Sequence, residues 1–142
     1  MTGHTDLKTI LSFLNPILNA GIYVFAVIPD HSGVVPKEAI LTFKEKEGVT
    51  IIIRETLARD LDLTYSFPSR WITLDVLSSL NSVGLTAVVS SALASADIPC
   101  NIVAGYHHDH LFVPSDHADK TLQILYQMMK KANDIENKEK KE

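Results

Sequence analysis

The stretch Ser78-Ser79-Leu80-Asn81-Ser82-Val83-Gly84-Leu85 decides how the rest of the chain is read. Before it stands a strand-like run, Arg70 to Val76, in which Ile72, Leu74 and Val76 alternate with Trp71, Thr73 and Asp75. After it, Leu85, Val88, Val89, Ala92, Leu93 and Ala96 recur along one helical stripe, which predicts an amphipathic helix to Ala96. A glycine at a helix start leaves the first backbone N–H groups unpaired and aimed outward. The helix dipole adds to their attraction for an anion such as a carboxylate.

Working outward, Asp97-Ile98-Pro99 ends that helix, and Cys100 to Gly105 reads as a strand. Tyr106-His107-His108-Asp109 is a turn, and His110 to Val113 the returning strand. A helix then starts at Pro114-Ser115-Asp116, with Asp116 as its cap, and runs to about Lys131 with Ala118, Leu122, Leu125, Tyr126 and Met129 inward. The first half is similar in plan. A helix from Asp6 to Leu14, capped by Thr5 or Asp6, stops before Pro16. Ile22 to Ile28 is a strand and Pro29 to Gly33 a turn. Ala39 to Lys44 and Val49 to Arg54 form a hairpin, and Glu55 to Leu61 a short helix with Leu57, Ala58 and Leu61 inward. Tyr65 to Ser69 is a connector.

The two halves repeat one another weakly. Val49 to Glu55 matches His110 to Asp116 in pattern, and Leu61 then falls on Leu122. The order β-α-β-β-α in the second half is that of a ferredoxin-like unit missing its last strand. In the first half the helix between strand and hairpin has shrunk to a loop around Val34 to Glu38. Neither half is complete alone, so the two are expected to pair side by side or to exchange a strand. The divisions expected are residues 1–67 and 68–132 as two units and 133–142 as a charged, disordered tail.

Composition sets the class. Of 142 residues, 46% are apolar and 21% charged, with a net charge of −4, so the chain is globular and lacks the basic footprint of a nucleic-acid binder. Cys100 stands alone, which excludes an internal disulfide framework and a cysteine-based zinc site. Its apolar surroundings suit a buried small hydrophobe rather than a reactive thiol. No signal peptide and no membrane-spanning run are visible, so a cytoplasmic compartment is the expectation.

Three constellations have chemical potential. The first is the glycine loop: the N–H groups of Gly84 and Leu85 can hold a carboxylate, while Asp75 or the side chain of Asn101 can take an ammonium. Asn101 and Ile102 lie on the strand expected beside Trp71. The plainer alternative is that Gly84 only permits a tight turn and Asn81 or Ser82 caps the helix. The second is His107-His108-Asp109-His110. In an extended strand His108 and His110 share a face and are the candidate metal ligands, but no other sequence cluster supplies the rest of a site. The third is nucleophilic catalysis. Serines are plentiful near the loop, but neither a Gly-x-Ser-x-Gly elbow nor a phosphate-binding Gly-Lys-Ser/Thr loop is present. Trp71 and Tyr65 read as core or interface aromatics.

Thr42 to Thr50, Trp71 to Leu74, Val83 to Thr86 and, most specifically, Asn101 to Pro114 resemble the small ACT-domain proteins built from two ACT-like halves. The paired halves also resemble the tandem ACT modules of aspartate kinases. The resemblance implies an α+β, ferredoxin-like βαββαβ fold in two units with antiparallel sheets. It also implies that Asn81, Val83, Gly84, Leu85, Asn101 and Ile102 line a site for an amino acid or related effector, commonly at an interface between units. The expectation is therefore a regulatory or sensor module, homodimeric, without catalytic activity and without a cofactor. It would signal to an unidentified protein partner and touch neither nucleic acid nor membrane. The alternatives are a metal-binding or hydrolytic protein using His107 to His110, and a purely structural interaction module.

Overall fold

The computed structural model describes residues 6–29 and 33–141. The turn expected around residues 30–32 and the cap expected at Thr5 lie outside them. The elements in chain order are α1 (Leu7–Ser12), β1 (Pro16–Leu18), β2 (Tyr23–Pro29), β3 (Leu41–Glu45), β4 (Gly48–Arg54), α2 (Glu55–Asp60), β5 (Tyr65–Leu74), α3 (Leu85–Ser95), β6 (Asn101–Ala104), β7 (Asp109–Pro114) and α4 (Ala118–Lys141). A 3-10 turn at Ser115–His117 leads into α4.

One antiparallel sheet runs through both halves in the order β3-β4-β2-β5-β7-β6, with β1 also paired to β5. The two units thus share a sheet. They are joined by β5, whose ten residues pair with β2 at one end and with β1 and β7 at the other. Residues 65–69, expected as a connector, are the first half of this strand. Pro68 has no N–H to give a ladder, and Phe67 takes a φ of +63°. The register shifts there, between Tyr23 opposite Ser69 and Phe25 opposite Ser66, as a bulge allows.

The internal repeat appears in the pairing register. Gly48 faces Pro29 and Ile53 faces Val24; Asp109 faces Leu74 and Pro114 faces Ser69. These are the pairs that the alignment of Val49–Glu55 on His110–Asp116 requires. The units also complete each other. The segment before the first unit gives α1 and β1 to the second, where Ile10 and Leu14 are buried with Ile72, Leu74, Val89, Leu93, Leu111 and Leu125. The first unit has α2 and the loop residues Val35 and Ala39 over Val24, Ala26, Ile51 and Ile53.

The helix ends have identifiable causes. Asp6 caps α1 by accepting from the Thr9 N–H at 3.2 Å. Both α2 and α3 stop on a left-handed aspartate, Asp62 at φ +53° and Asp97 at φ +60°. In each the very next residue reaches back: Leu63 N–H to Ala58 O at 2.9 Å and Ile98 N–H to Leu93 O at 3.0 Å. Leu61 therefore lies outside the last turn and is 46% exposed, against the inward position its spacing suggests. Tyr126 is likewise 47% exposed, its hydroxyl donating to the Pro16 carbonyl. Pro114, not Asp116, takes the cap position of the 3-10 turn that leads into α4, and the Asp116 carboxylate meets His117 Nδ1 at 2.9 Å. Where mixed charges suggest a solvated tail, α4 continues to Lys141. Asn133 ties it to the Ser12 carbonyl at 3.0 Å.

The face of the sheet away from the helices is aromatic. Tyr23, Phe25, Ile52, Phe67, Trp71 and Phe112 pack there, and Leu41 of β3 and Val103 of β6 join them from opposite edges of the sheet. Tyr23 meets Trp71 edge to face at 5.4 Å, and Phe25 meets Phe112 at 5.7 Å. Trp71 is a half-buried member of this aromatic cluster.

Candidate functional site

The loop between β5 and α3 frames an open cleft of about 550 Å³. Ser78, Ser79, Leu80, Ser82, Val83, Gly84 and Leu85 form one wall, Thr86 and Ala87 continue it along α3, and Ala104, Gly105 and Asp109 form the other. Gly84 stands at φ +104°, a left-handed conformation that side chains disfavour, and it occupies the cap position of α3. The Val88 N–H takes the Gly84 carbonyl at 2.9 Å and closes the first turn. The N–H groups of Leu85, Thr86 and Ala87 precede that bond and have no intrahelical acceptor. Among the described residues no side chain caps this end; the Asn81 backbone N–H goes to Ser79 Oγ at 3.1 Å, within the loop. The positive end of α3 therefore opens on the cleft beside four hydroxyl side chains.

Across from it, Asp109 accepts from the Ser78 hydroxyl at 3.4 Å. Burial pushes its carboxyl above the ordinary value, more than the Ser78 bond and the nearby histidines offset. The site thus places a half-buried carboxyl opposite uncapped helix amides, a charge pattern complementary to a small zwitterion.

Of the residues chosen from sequence, Val83, Gly84 and Leu85 line the cleft. Asn81, Asp75, Asn101 and Ile102 do not line it. Asp75 sits at the end of β5 with a carboxylate oxygen 3.7 Å from His108 Nε2. Asn101 opens β6 opposite Phe112, and Ile102 packs into the core. The direction of travel explains this. After α3 only a short link precedes β6, so β6 begins beside the far end of the helix and returns toward its start. The strand's last residues, Ala104 and Gly105, reach the cleft in place of Asn101 and Ile102. Element lengths alone contained that information, since an 11-residue helix and a four-residue strand span similar distances. Asp109 was legible as the residue opening the return strand, but its neighbours drew it into the histidine turn.

The histidines divide between two environments. His108 precedes β7, so strand alternation does not reach it; its Nδ1 lies 3.3 Å from the Val76 carbonyl. His110 faces the aromatic side, where Trp71 Nε1–H donates to its Nδ1 at 3.0 Å and Thr73 Oγ1 lies 3.1 Å from the same nitrogen. Burial lowers the His110 pKa, with His108 adding and Asp109 opposing. An Nδ1 that accepts from an indole is not free to bind a metal. Among the described residues no three His, Cys, Asp or Glu side chains come together as a metal site. Cys100 is pushed up to about 11 by burial, the state of an inert thiol. Among the described residues no helix is long and apolar enough to cross a membrane.

A second groove, about 320 Å³, runs between α1, α3 and α4. Apart from the lysines Lys8 and Lys131 its lining is apolar, from Leu11 to Ile135, and it lacks the opposed polar groups of the first.

Residues 2–70 and 66–127 each match a model described as an ACT domain. Among solved structures, the chain is similar to a protein of unknown function and possible transport protein from Vibrio cholerae. The two are 37% identical over 87% of this chain and 95% of that one, with a TM-score of 0.76. A protein from Agrobacterium tumefaciens is 20% identical, over 80% of this chain and 87% of that one, at a TM-score of 0.64. The regulatory subunit of aspartate kinase from Thermus flavus is 11% identical, over 80% and 95%, at 0.56. The last two likenesses concern the fold. No curated protein matches the chain.

Proposed function

The chain belongs to the ACT-domain family, and from that premise we propose that it is a regulatory module whose cleft at Gly84 binds a small effector, an amino acid. The observation that carries this reading is the start of α3, uncapped among the described residues and held by a left-handed glycine in a cleft that no described side chain fills. Val83, Gly84 and Leu85 supply the backbone wall, and the hydroxyls of Ser78, Ser79, Ser82 and Thr86 supply polar contacts. The protein works without catalysis, in the cytoplasm, as a homodimer. Leu80 and Val83, at 67% and 83% exposed, line the cleft and support coverage by a second copy. Occupancy is passed to a protein partner by the state the ligand binds more tightly, since a ligand shifts an equilibrium only through differential affinity.

Thermal denaturation in the presence of each standard amino acid tests the proposal. At a hundredfold excess over Kd a binder stabilises by about 2.7 kcal/mol, which raises Tm on the order of 5–10 °C for a chain of this size. One or a few amino acids should do so for the native protein and none for Gly84→Val, whose side chain would block the approach to the backbone. Absence of any shift, or shifts retained in Gly84→Val, overturns the reading.

A further inference from the structure

We propose that Asp109 selects a cationic group on the ligand, so that the cleft accepts primary ammonium zwitterions and rejects the same skeleton with its amine acylated or removed. This rests on the cleft being the binding site. Among the described residues lining the cleft, Asp109 is the one that ionises; the others offer hydroxyls, backbone or apolar surface. Its own protein contact is weak: a single hydroxyl, Ser78 Oγ, at 3.4 Å. The neighbouring histidines are engaged elsewhere, His110 with the Trp71 indole and His108 with Asp75 and the Val76 carbonyl. A carboxylate in a cleft with one long bond, and with no lysine or arginine among the described lining residues, retains acceptor capacity for an ammonium.

The internal repeat shows that the fold itself does not require this carboxylate. The position equivalent to Asp109 in the first unit is Gly48, which opens β4 opposite the end of β2 as Asp109 opens β7 opposite the end of β5. A Cβ on Gly48 would lie 2.7 Å from the Ile28 carbonyl oxygen, so that unit has no room for any side chain there. The same hairpin start is built in one unit with no side chain at all and in the other with an acid facing an open cleft. A turn-forming role does not account for the acid either, because the 105–108 turn is closed by backbone, Gly105 N–H to His108 O at 2.8 Å.

The test compares the full-length native protein with Asp109→Asn, Asp109→Ser and Gly84→Val by isothermal titration. The probes are the standard amino acids, their N-acetyl derivatives and their des-amino acids. The native protein should bind at least one free amino acid and discriminate against its N-acetyl form by about tenfold or more, the scale of one charge-assisted hydrogen bond. Both Asp109 variants should lose that discrimination through weaker binding of the free amino acid. Equal binding of the free and acetylated forms by the native protein overturns the inference, as does unchanged affinity in both Asp109 variants. If those results come with loss of binding in Gly84→Val, the cleft stands and only the role of Asp109 falls. If no free amino acid binds the native protein, or Gly84→Val binds normally, both fall together.

Discussion

The Trp71 indole N–H donates to His110 Nδ1 at 3.0 Å, from one strand to its neighbour on the aromatic face of the sheet. Because that nitrogen accepts, the imidazole must be neutral, with its proton on Nε2. Protonating it would set two donors against each other.

The pH dependence follows. The folded state holds His110 below its ordinary value, chiefly by burial. The unfolded chain takes up the proton at about 6.5. Stability is therefore complete above that value and falls as the pH drops from it toward the lowered folded value, by up to about 1.4 kcal/mol per pH unit. Trp71 is the sole tryptophan, so its fluorescence should titrate with a midpoint below 6.5. In His110→Gln, which keeps an acceptor for the indole, that titration should vanish and the acid-side loss in denaturant melts should be smaller.

Asp109 gives the opposite sign. Its folded value is raised by burial, so its contribution to stability is present below the unfolded value and lost as pH rises through the folded one. At neutral pH the ionised carboxylate weakens the fold. Asp109→Asn should raise stability there, and the gain should disappear at acid pH. Urea melts at two pH values measure it.

Burial separates two leucines that occupy similar places in their helical patterns. Leu93 is wholly buried under α3, whereas Leu61 lies 46% exposed past the end of α2. Leu93→Ala should cost about 2–5 kcal/mol and Leu61→Ala within about 0.5–1 kcal/mol. Chemical denaturation distinguishes the two directly.

The end of α4 is attached by contacts of unequal worth. Asn133 donates to both the Ser12 and Met129 carbonyls. Lys8 meets Glu139 at 2.9 Å with both side chains more than half exposed. Asn133→Ala should cost about 0.5–1.5 kcal/mol, while any effect of Lys8→Ala should show only at low salt.

Local patterns made most elements legible. The stripe from Leu85 to Ala96, the hairpin around Lys46-Glu47 and the repeat of Val49–Glu55 on His110–Asp116 are all properties of neighbouring residues, and each has its counterpart in the structure. What was hidden depends on partners distant in sequence. Tyr65 to Ser69 contains a proline and reads as a connector until β2 is present to pair with it. The charged stretch after Ala132 reads as solvent-facing until α1 is laid beside it. Within the site, Gly84 carries its own signal. Asp109 does not, because a single acid beside three histidines looks like part of their turn. Asn101 and Ile102 were misplaced along their strand because adjacency to β5 says nothing about which end meets the loop.

The donation of α1 and β1 to the second unit sets the time order of synthesis against that of assembly. Ile10 and Leu14 are made before Leu125, with which they are buried, by more than a hundred residues. Until α4 emerges, this leucine-rich segment has no finished surface to cover it. The nascent chain therefore carries an adhesive, unpartnered segment across that stretch of translation, the interval in which chaperone capture or aggregation competes with productive folding.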